Sequence, residues 1–251
     1  NWNYKIFYSF SLLNRDSYYG GLGSETNPDS SAALAAYGKT ENPLHIGGLR
    51  SHYRIGDHYF TAGFQIKQES LTDKAVRNPL YHLDKTFQNA GFFVQDNLRL
   101  NQFDIIIGAR IDKHSELENP IISPRLNLKY DLNAETVLRT GIATGFKAPQ
   151  IYNEDLHICG LEGGQRVIRN AADLQEEKSI TGNLSLDYLG YLNDMATMIN
   201  LTAYYTVLQE AFTRVDIPDD EPLVNLWERQ NGEGAQVQGI EAEFGLRPNS
   251  K

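Results

Sequence analysis

One cysteine, Cys159, and two methionines are all the sulfur in this chain of 251 residues. A single thiol excludes an internal disulfide and any multi-cysteine zinc site, and leaves Cys159 a lone loop thiol. No apolar run approaches the roughly 20 residues of a spanning helix. The chain opens with neither a Met nor a signal peptide, so the start at Asn1 reads as a cut. Positive charge is also short: the net charge is -9 and the 23 Lys and Arg form no basic stripe. Nucleic acid is therefore excluded as the main partner, because phosphate binding relies on a concentrated cationic surface. Enzyme signatures are missing as well. There is no Gly-x-Ser-x-Gly elbow, no phosphate-binding glycine loop and no His-Glu-x-x-His pair, and Ser115 beside His114 is adjacency only. Neighbours on a strand point to opposite faces. No enzymatic activity and no cofactor are expected.

What is present is alternation. Period-2 ribbons recur with few competing helical patterns, and about ten of them are legible. They run over 2–12, 44–55, 58–69, 90–100, 103–113, 123–131, 136–146, 177–189, 196–210 and 235–247. Most are near the roughly 9 to 11 residues that a tilted strand needs to cross a bilayer, whereas soluble strands have a mode of about 5 or 6. The mean hydropathy of -0.45 looks soluble. In a membrane barrel, however, half of each strand faces a polar lumen, so the average stays low.

The connections alternate too. Tight turns are expected at Gly56-Asp57, Asn101-Gln102, the Asn133-Ala134 region and, slightly longer, Gly190 to Asp194. Between them lie long segments at 13–43, 70–89, 146–176 and 211–234, with 114–122 shorter. Short turns at one end and long loops at the other are the pattern of an outer-membrane barrel.

Facing follows from parity. Phe103, Ile105, Ile107, Ala109 and Ile111 oppose Asp104, Arg110 and Asp112; Leu126, Leu128 and Tyr130 oppose Arg125, Asn127 and Lys129; Leu138, Thr140 and Ile142 oppose Arg139. The same split puts Leu184, Leu186 and Tyr188 against Asn183, Ser185 and Asp187. Tyr4, Tyr130, Tyr188 and Tyr191 are placed near strand ends, as an interfacial aromatic girdle requires. The fold expected is all-β: an antiparallel transmembrane β-barrel. The cut start, the long loops and an ending in Arg247-Pro248-Asn249-Ser250-Lys251 without a terminal aromatic predict that residues 1–251 are a portion of a larger barrel.

Several motifs then fall in one order: FFVQDNLRL (92–100), GARIDKHS (108–115), SPRLNLKY (123–130), GFKAP (145–149), NAADLQEEKSITGNLSLDY (170–188) and QGIEAEFGLRP (238–248). Together they resemble the barrel of TonB-dependent outer-membrane receptors, whose strands carry aromatic-x-Gln-Asp, Gly-x-Arg-x-Asp, Ser-Pro-Arg and Gly-Phe-Arg-Ala-Pro patterns. Lys147 stands where the family often has Arg, and Glu176 where it often has Pro. The resemblance implies about ten strands of a roughly 22-stranded barrel. It implies a bacterial outer-membrane location, contact with outer-membrane lipid, and uptake of a scarce chelate such as a ferric siderophore or cobalamin. Such receptors also carry a plug domain and a segment that engages TonB, for which this sequence offers no counterpart. A passive porin, or a soluble β-sheet binding protein, is the alternative that alternation by itself allows.

Within that frame, Arg50, Arg54, Arg99, Arg110, Arg125 and Arg139 are expected on the lumen side, as donors to plug carboxylates or to neighbours such as Asp104, Asp112 and Glu241. Loop 146–176 is the ligand candidate: Tyr152, His157, Arg166 and Arg169 form an aromatic and cationic mix suited to an anionic chelate. No metal site is expected. DIPDDEP (216–222) lacks the spaced alternation of a calcium loop and reads as a solvated acidic tip. His45, His52 and His58 differ in parity, with His52 and His58 expected inside.

Overall fold

The computed structural model describes residues 2–18, 37–75, 82–152, 156, 158–159, 165–217 and 224–248. Fourteen strands are formed among them: β1 (Trp2–Tyr18), β2 (Tyr37–Ile55), β3 (His58–Ala75), β4 (His82–Leu100), β5 (Phe103–His114), β6 (Ile121–Asp131), β7 (Thr136–Lys147), β8 (Ile158–Cys159), β9 (Gln165–Asn170), β10 (Glu177–Leu192), β11 (Met195–Gln209), β12 (Phe212–Ile217), β13 (Val224–Asn231) and β14 (Ala235–Arg247). Ten make one sheet in the order β1-β2-β3-β4-β5-β6-β7-β10-β11-β14, with each pairing antiparallel. These are the ten ribbons read from the sequence. The other four form a small second sheet, β12-β13-β9-β8, inside the connections 146–176 and 211–234, where only loop was expected.

Register makes the two faces of the large sheet consistent from edge to edge. Ile6 pairs with Leu49, Leu49 with Phe64, Phe64 with Phe92, Phe92 with Ile111 and Ile111 with Ile122. Leu126 pairs with Ile142, Leu186 with Leu138 and Leu201, and Leu201 with Ala242. Most side chains of this face stand exposed: Ile6 is 75% accessible, Ile107 59% and Ile240 83%. A continuous exposed apolar band on one side of a sheet is what hydrocarbon, rather than water, accommodates. The packed core is small and lies elsewhere, where Leu71, Phe87 and Leu156 are buried with Leu83 and Ile151 against them.

Four tight turns share one end of the sheet. Gly56 (φ 57°) and Asn101 (φ 49°) supply the left-handed backbone of theirs, and Asn193 and Asp194 both have positive φ (49° and 64°). Two successive left-handed residues give the hairpin turn whose twist matches the strands. The last turn is therefore two residues long rather than the five expected. β10 runs on to Leu192, and Tyr191 falls on the polar face, outside the girdle assigned to it. Tyr4, Tyr130 and Tyr188 lie on the apolar face near this end, where Phe103 and Tyr130 stack at 4.5 Å. At the other end, β1 to β4 run five or more residues beyond the expected boundaries. There the chain leaves hydrocarbon, both faces turn polar and the alternation that marks the strand is lost.

Candidate functional site

All six arginines named from the sequence occupy positions of the polar face, by the same register that places the apolar band opposite. Four are held by described partners. Arg110 grips Asp112 with two hydrogen bonds, from Nε (2.6 Å) and Nη2 (2.8 Å), and Asn89 donates to the same carboxylate at 2.7 Å. Arg99 pairs with Asp104 at 3.1 Å, Arg139 with Asp187, and Arg125 donates to Gln95. Asp187 had not been foreseen as a partner, although Arg139 and Ser185 stand opposite in the register and Asp187 is one diagonal step away. Arg50 and Arg54 lie on β2. Arg50, Arg110 and Arg125 share a hollow of about 670 Å³ with His52, Tyr59 and Phe93 on this face. His58 does not join them. The Gly56-Asp57 turn sets it opposite Ile55, so it takes Ile55's apolar face and bonds Asp96 at 2.6 Å.

A second cluster is built at the long-loop end. β7 delivers Lys147, and the chain then turns through Ala148 and Pro149, where the Tyr152 hydroxyl donates to the Ala148 carbonyl at 2.5 Å. Lys147 Nζ lies 4.2 Å from the centre of the Tyr152 ring and 5.6 Å from that of Phe212. From β13, Arg229 approaches the same two rings at 5.4 and 5.6 Å. Arg229 is 2% exposed, and its guanidinium donates to the Gln150 carbonyl (3.1 Å) and to Asn170 Oδ1 (3.4 Å). Asn170 Nδ2 in turn donates to the Pro149 carbonyl at 2.6 Å. Two cations thus flank two aromatic rings, with Arg229 and the Tyr152 hydroxyl tied to backbone carbonyls of the loop after β7. Asn231 clasps the second connection, accepting from the Gln175 amide and donating to the Gln175 and Glu210 carbonyls.

Of the loop residues named from the sequence, Tyr152 belongs to this cluster. Arg169 is engaged elsewhere on the small sheet, bonded to Glu228 at 2.9 Å. The Glu228 carboxyl is held below the usual carboxylate range by the Gln230 amide first and then by Arg169. Arg166 sits in β9, opposite Asn225 of β13 and Ile158 of β8. His157 lies outside the described residues, as do Asp219, Asp220 and Glu221 of the acidic stretch, whose Asp216 is exposed. Lys147, Phe212 and Arg229 were missed. Only the motif GFKAP pointed to the first, and the pairing of β13 with β9 is a contact between distant segments that no local pattern announces.

His114 ties the loop after β5 to the loop after β7. Its Nδ1 accepts the Glu116 amide (3.2 Å), so the proton sits on Nε2, which faces Gln150 Oε1 at 3.2 Å. Burial pushes its pKa below the ordinary 6.5, against the opposing pull of Gln150, Glu116 and Asp112; Lys67 adds to the lowering. A histidine favoured neutral in the folded state stabilises it fully above the unfolded pKa, and that contribution is lost as pH falls from 6.5 through the lower folded value. Acid must protonate Nδ1 against an N–H donor. Amide exchange at 147–152, corrected for intrinsic chemistry, is therefore expected to quicken between about pH 7 and about pH 5, and a His114→Asn variant to flatten that dependence. An unchanged pH profile in the variant would remove His114 from this role.

The exposed apolar band, the polar opposite face and the sorted loops define a transmembrane β-barrel wall of the outer membrane. The family comparison is specific: the description "TonB dependent receptor-like, beta-barrel" matches residues 1–249, and the chain belongs to that family. An iron-regulated outer membrane virulence protein of Vibrio cholerae serotype O1 is 31% identical over 201 residues, which are 76% of this chain and 30% of that protein. The ferrienterobactin receptor of Escherichia coli K12 is 26% identical over 165 residues, 61% of this chain and 21% of that protein. This chain thus spans under a third of the curated relatives it matches. Among solved structures, the siderophore receptor PirA of Pseudomonas aeruginosa superposes with a TM-score of 0.68 at 17% identity, over 97% of this chain and 47% of that one. A variant of the ferric enterobactin receptor PfeA from the same organism, solved with enterobactin, gives 0.69 at 19%, over 95% and 38%. These structural likenesses establish the fold.

Proposed function

We propose that this chain is the ligand-capturing part of the barrel of a receptor that imports an anionic ferric chelate of the siderophore class, with energy coupled through TonB. The observation that carries this reading is the cluster of Lys147 and Arg229 around Tyr152 and Phe212 at the long-loop end. Lys147 beside the Tyr152 and Phe212 rings suits a ligand that is itself anionic and aromatic, since the rings supply stacking area and the lysine supplies charge, while the buried Arg229 fixes the rings in place. Relatives named for iron regulation and for ferric enterobactin support the same class. In this reading residues 1–251 form one portion of the barrel domain. A plug domain fills the lumen against Arg50, Arg54, Arg99, Arg110, Arg125 and Arg139, a segment outside this chain engages TonB, and outer-membrane lipid covers the apolar face. Tyr152, His157, Arg166 and Arg169 remain the candidate contacts of loop 146–176, and Lys147 and Phe212 are added to them.

The test is uptake of radioactive iron by cells that depend on the intact receptor, supplied in turn as a tricatecholate, a hydroxamate and a haem complex, with cobalamin as a non-iron control. Selective uptake of one iron chelate, abolished when the proton gradient is collapsed and reduced about tenfold or more by Tyr152→Ala, is the expected result. Unselective passage that survives loss of the gradient would establish a passive porin instead.

A further inference from the structure

On the apolar face, one row of the large sheet runs Trp2, Tyr53, Phe60 and Asp96, each the direct register partner of the next. The three rings are exposed, and so is Ile107 on the far side of Asp96. His58 opens β3 directly after its turn, at the level where a strand meets the headgroups. From there it reaches diagonally to Asp96, with Nδ1 2.6 Å from Oδ2, while its ring stacks on that of Phe60 at 5.5 Å and 5°. Within the apolar band of β1 to β5, Asp96 is the one carboxylate on this face, and no Lys or Arg shares it.

An ionisable group turned toward hydrocarbon is costly, and its place there calls for a partner. Tying β3 to β4 does not require one, because the neutral hydroxyls of Ser70 and Thr86 do so farther along the same face at 3.0 Å. Asp96 Oδ1 is covered yet has no hydrogen-bond partner among the described residues, so the wall itself does not balance the charge. A carboxylate only accepts, so Nδ1 carries the hydrogen of the 2.6 Å bond. In the neutral ring this leaves the Nε2 lone pair as an acceptor, backed by the carboxylate, on a side chain that is 44% accessible. What is missing is a positively charged donor from the bilayer side. An inorganic cation asks for several oxygens at once, whereas one ring nitrogen beside aromatic faces suits an alkylammonium. We infer that His58 and Asp96, with Phe60 and Tyr53, form a site for the primary ammonium headgroup of a phospholipid in the leaflet at the short-turn end. The site depends on the orientation of the wall in the membrane and on neither the chelate nor the plug.

Lipid retention by the intact receptor tests it. Native mass spectrometry in mild detergent follows phospholipids of equal chain length that carry ethanolamine, choline or glycerol headgroups. Wild type is expected to hold the ethanolamine lipid about tenfold more strongly than the other two, since choline keeps the charge but has no N–H donor and glycerol lacks both. Asp96→Asn and His58→Phe should each erase that preference and leave heat-dependent gel migration unchanged, because both remove an ionisable group from the hydrocarbon face. Equal retention of the three lipids by wild type, preference for another headgroup, or an ethanolamine preference that survives in either folded variant would overturn the inference. Displacement of the lipid by water-soluble ethanolamine phosphate at matched concentration would also overturn it, by making this a site for a free amine.

Discussion

Replacing Leu126 with Arg is expected to stop most of the protein from inserting, whereas replacing its neighbour Arg125 with Leu leaves insertion nearly intact. Leu126 stands on the apolar face between Ile107 and Ile142, with no carboxylate among its direct cross-strand partners. A charged side chain at the bilayer midplane costs roughly 2 to 4 kcal/mol, which corresponds to a ratio of inserted to uninserted protein some tens to hundreds of times lower. Arg125, one residue back, is on the polar face and bonds only Gln95, so its loss forfeits one hydrogen bond of about 1.5 to 3 kcal/mol at most, in a hydrated setting that replaces part of it. The measurement is the fraction of heat-modifiable, protease-resistant barrel formed in liposomes, titrated in urea for both variants. Equal loss in the two would mean that the sheet does not have one hydrocarbon face and one wet face.

That face assignment was the most legible feature of the sequence, and the reason is physical. Hydrocarbon on one side and water on the other impose a strict period of two, and a slip of one residue would move Arg125 or Arg139 into lipid. Each ribbon named by period is a strand of the large sheet for this reason. Where the solvent asymmetry ends, legibility ends. The upper parts of β1 to β4, in stretches such as Gln68 to Lys74, have polar residues on both faces, and nothing in the order of residues separates them from loop. His58 was misplaced because its face is set by a two-residue turn whose length decides parity. The cluster at the long-loop end was half legible. Tyr152 stood out as an aromatic in a long polar loop, but Arg229 is brought to it by parallel pairing of β9 with β13, segments about 60 residues apart.

The second large effect is expected at that residue. Arg229→Met keeps much of the volume and apolar stem but removes every donor from a site that is 2% exposed. The Gln150 carbonyl and Asn170 Oδ1 each lose a charged donor, worth about 1.5 to 3 kcal/mol apiece, and the Tyr152 and Phe212 rings each lose a cation. Methionine restores part of the packing against the rings through its sulfur. A net local loss of about 2 to 4 kcal/mol is enough to open the contact between the loop after β7 and the small sheet without unfolding the membrane strands. Trypsin should then cleave within 147–170 some 30-fold faster or more, while the heat-modifiable band is unchanged. Uptake of the preferred chelate should fall about tenfold or more, chiefly through weaker capture at low concentration, because the rings and Lys147 no longer hold one geometry. Arg229→Lys discriminates between charge and shape. Lysine returns the cation but not the planar fork that reaches Gln150 and Asn170 together while lying beside two rings, so it should recover well under half of the loss. Full recovery by lysine would show that charge alone holds the cluster, and would shift the weight of capture from the preformed geometry to the local potential.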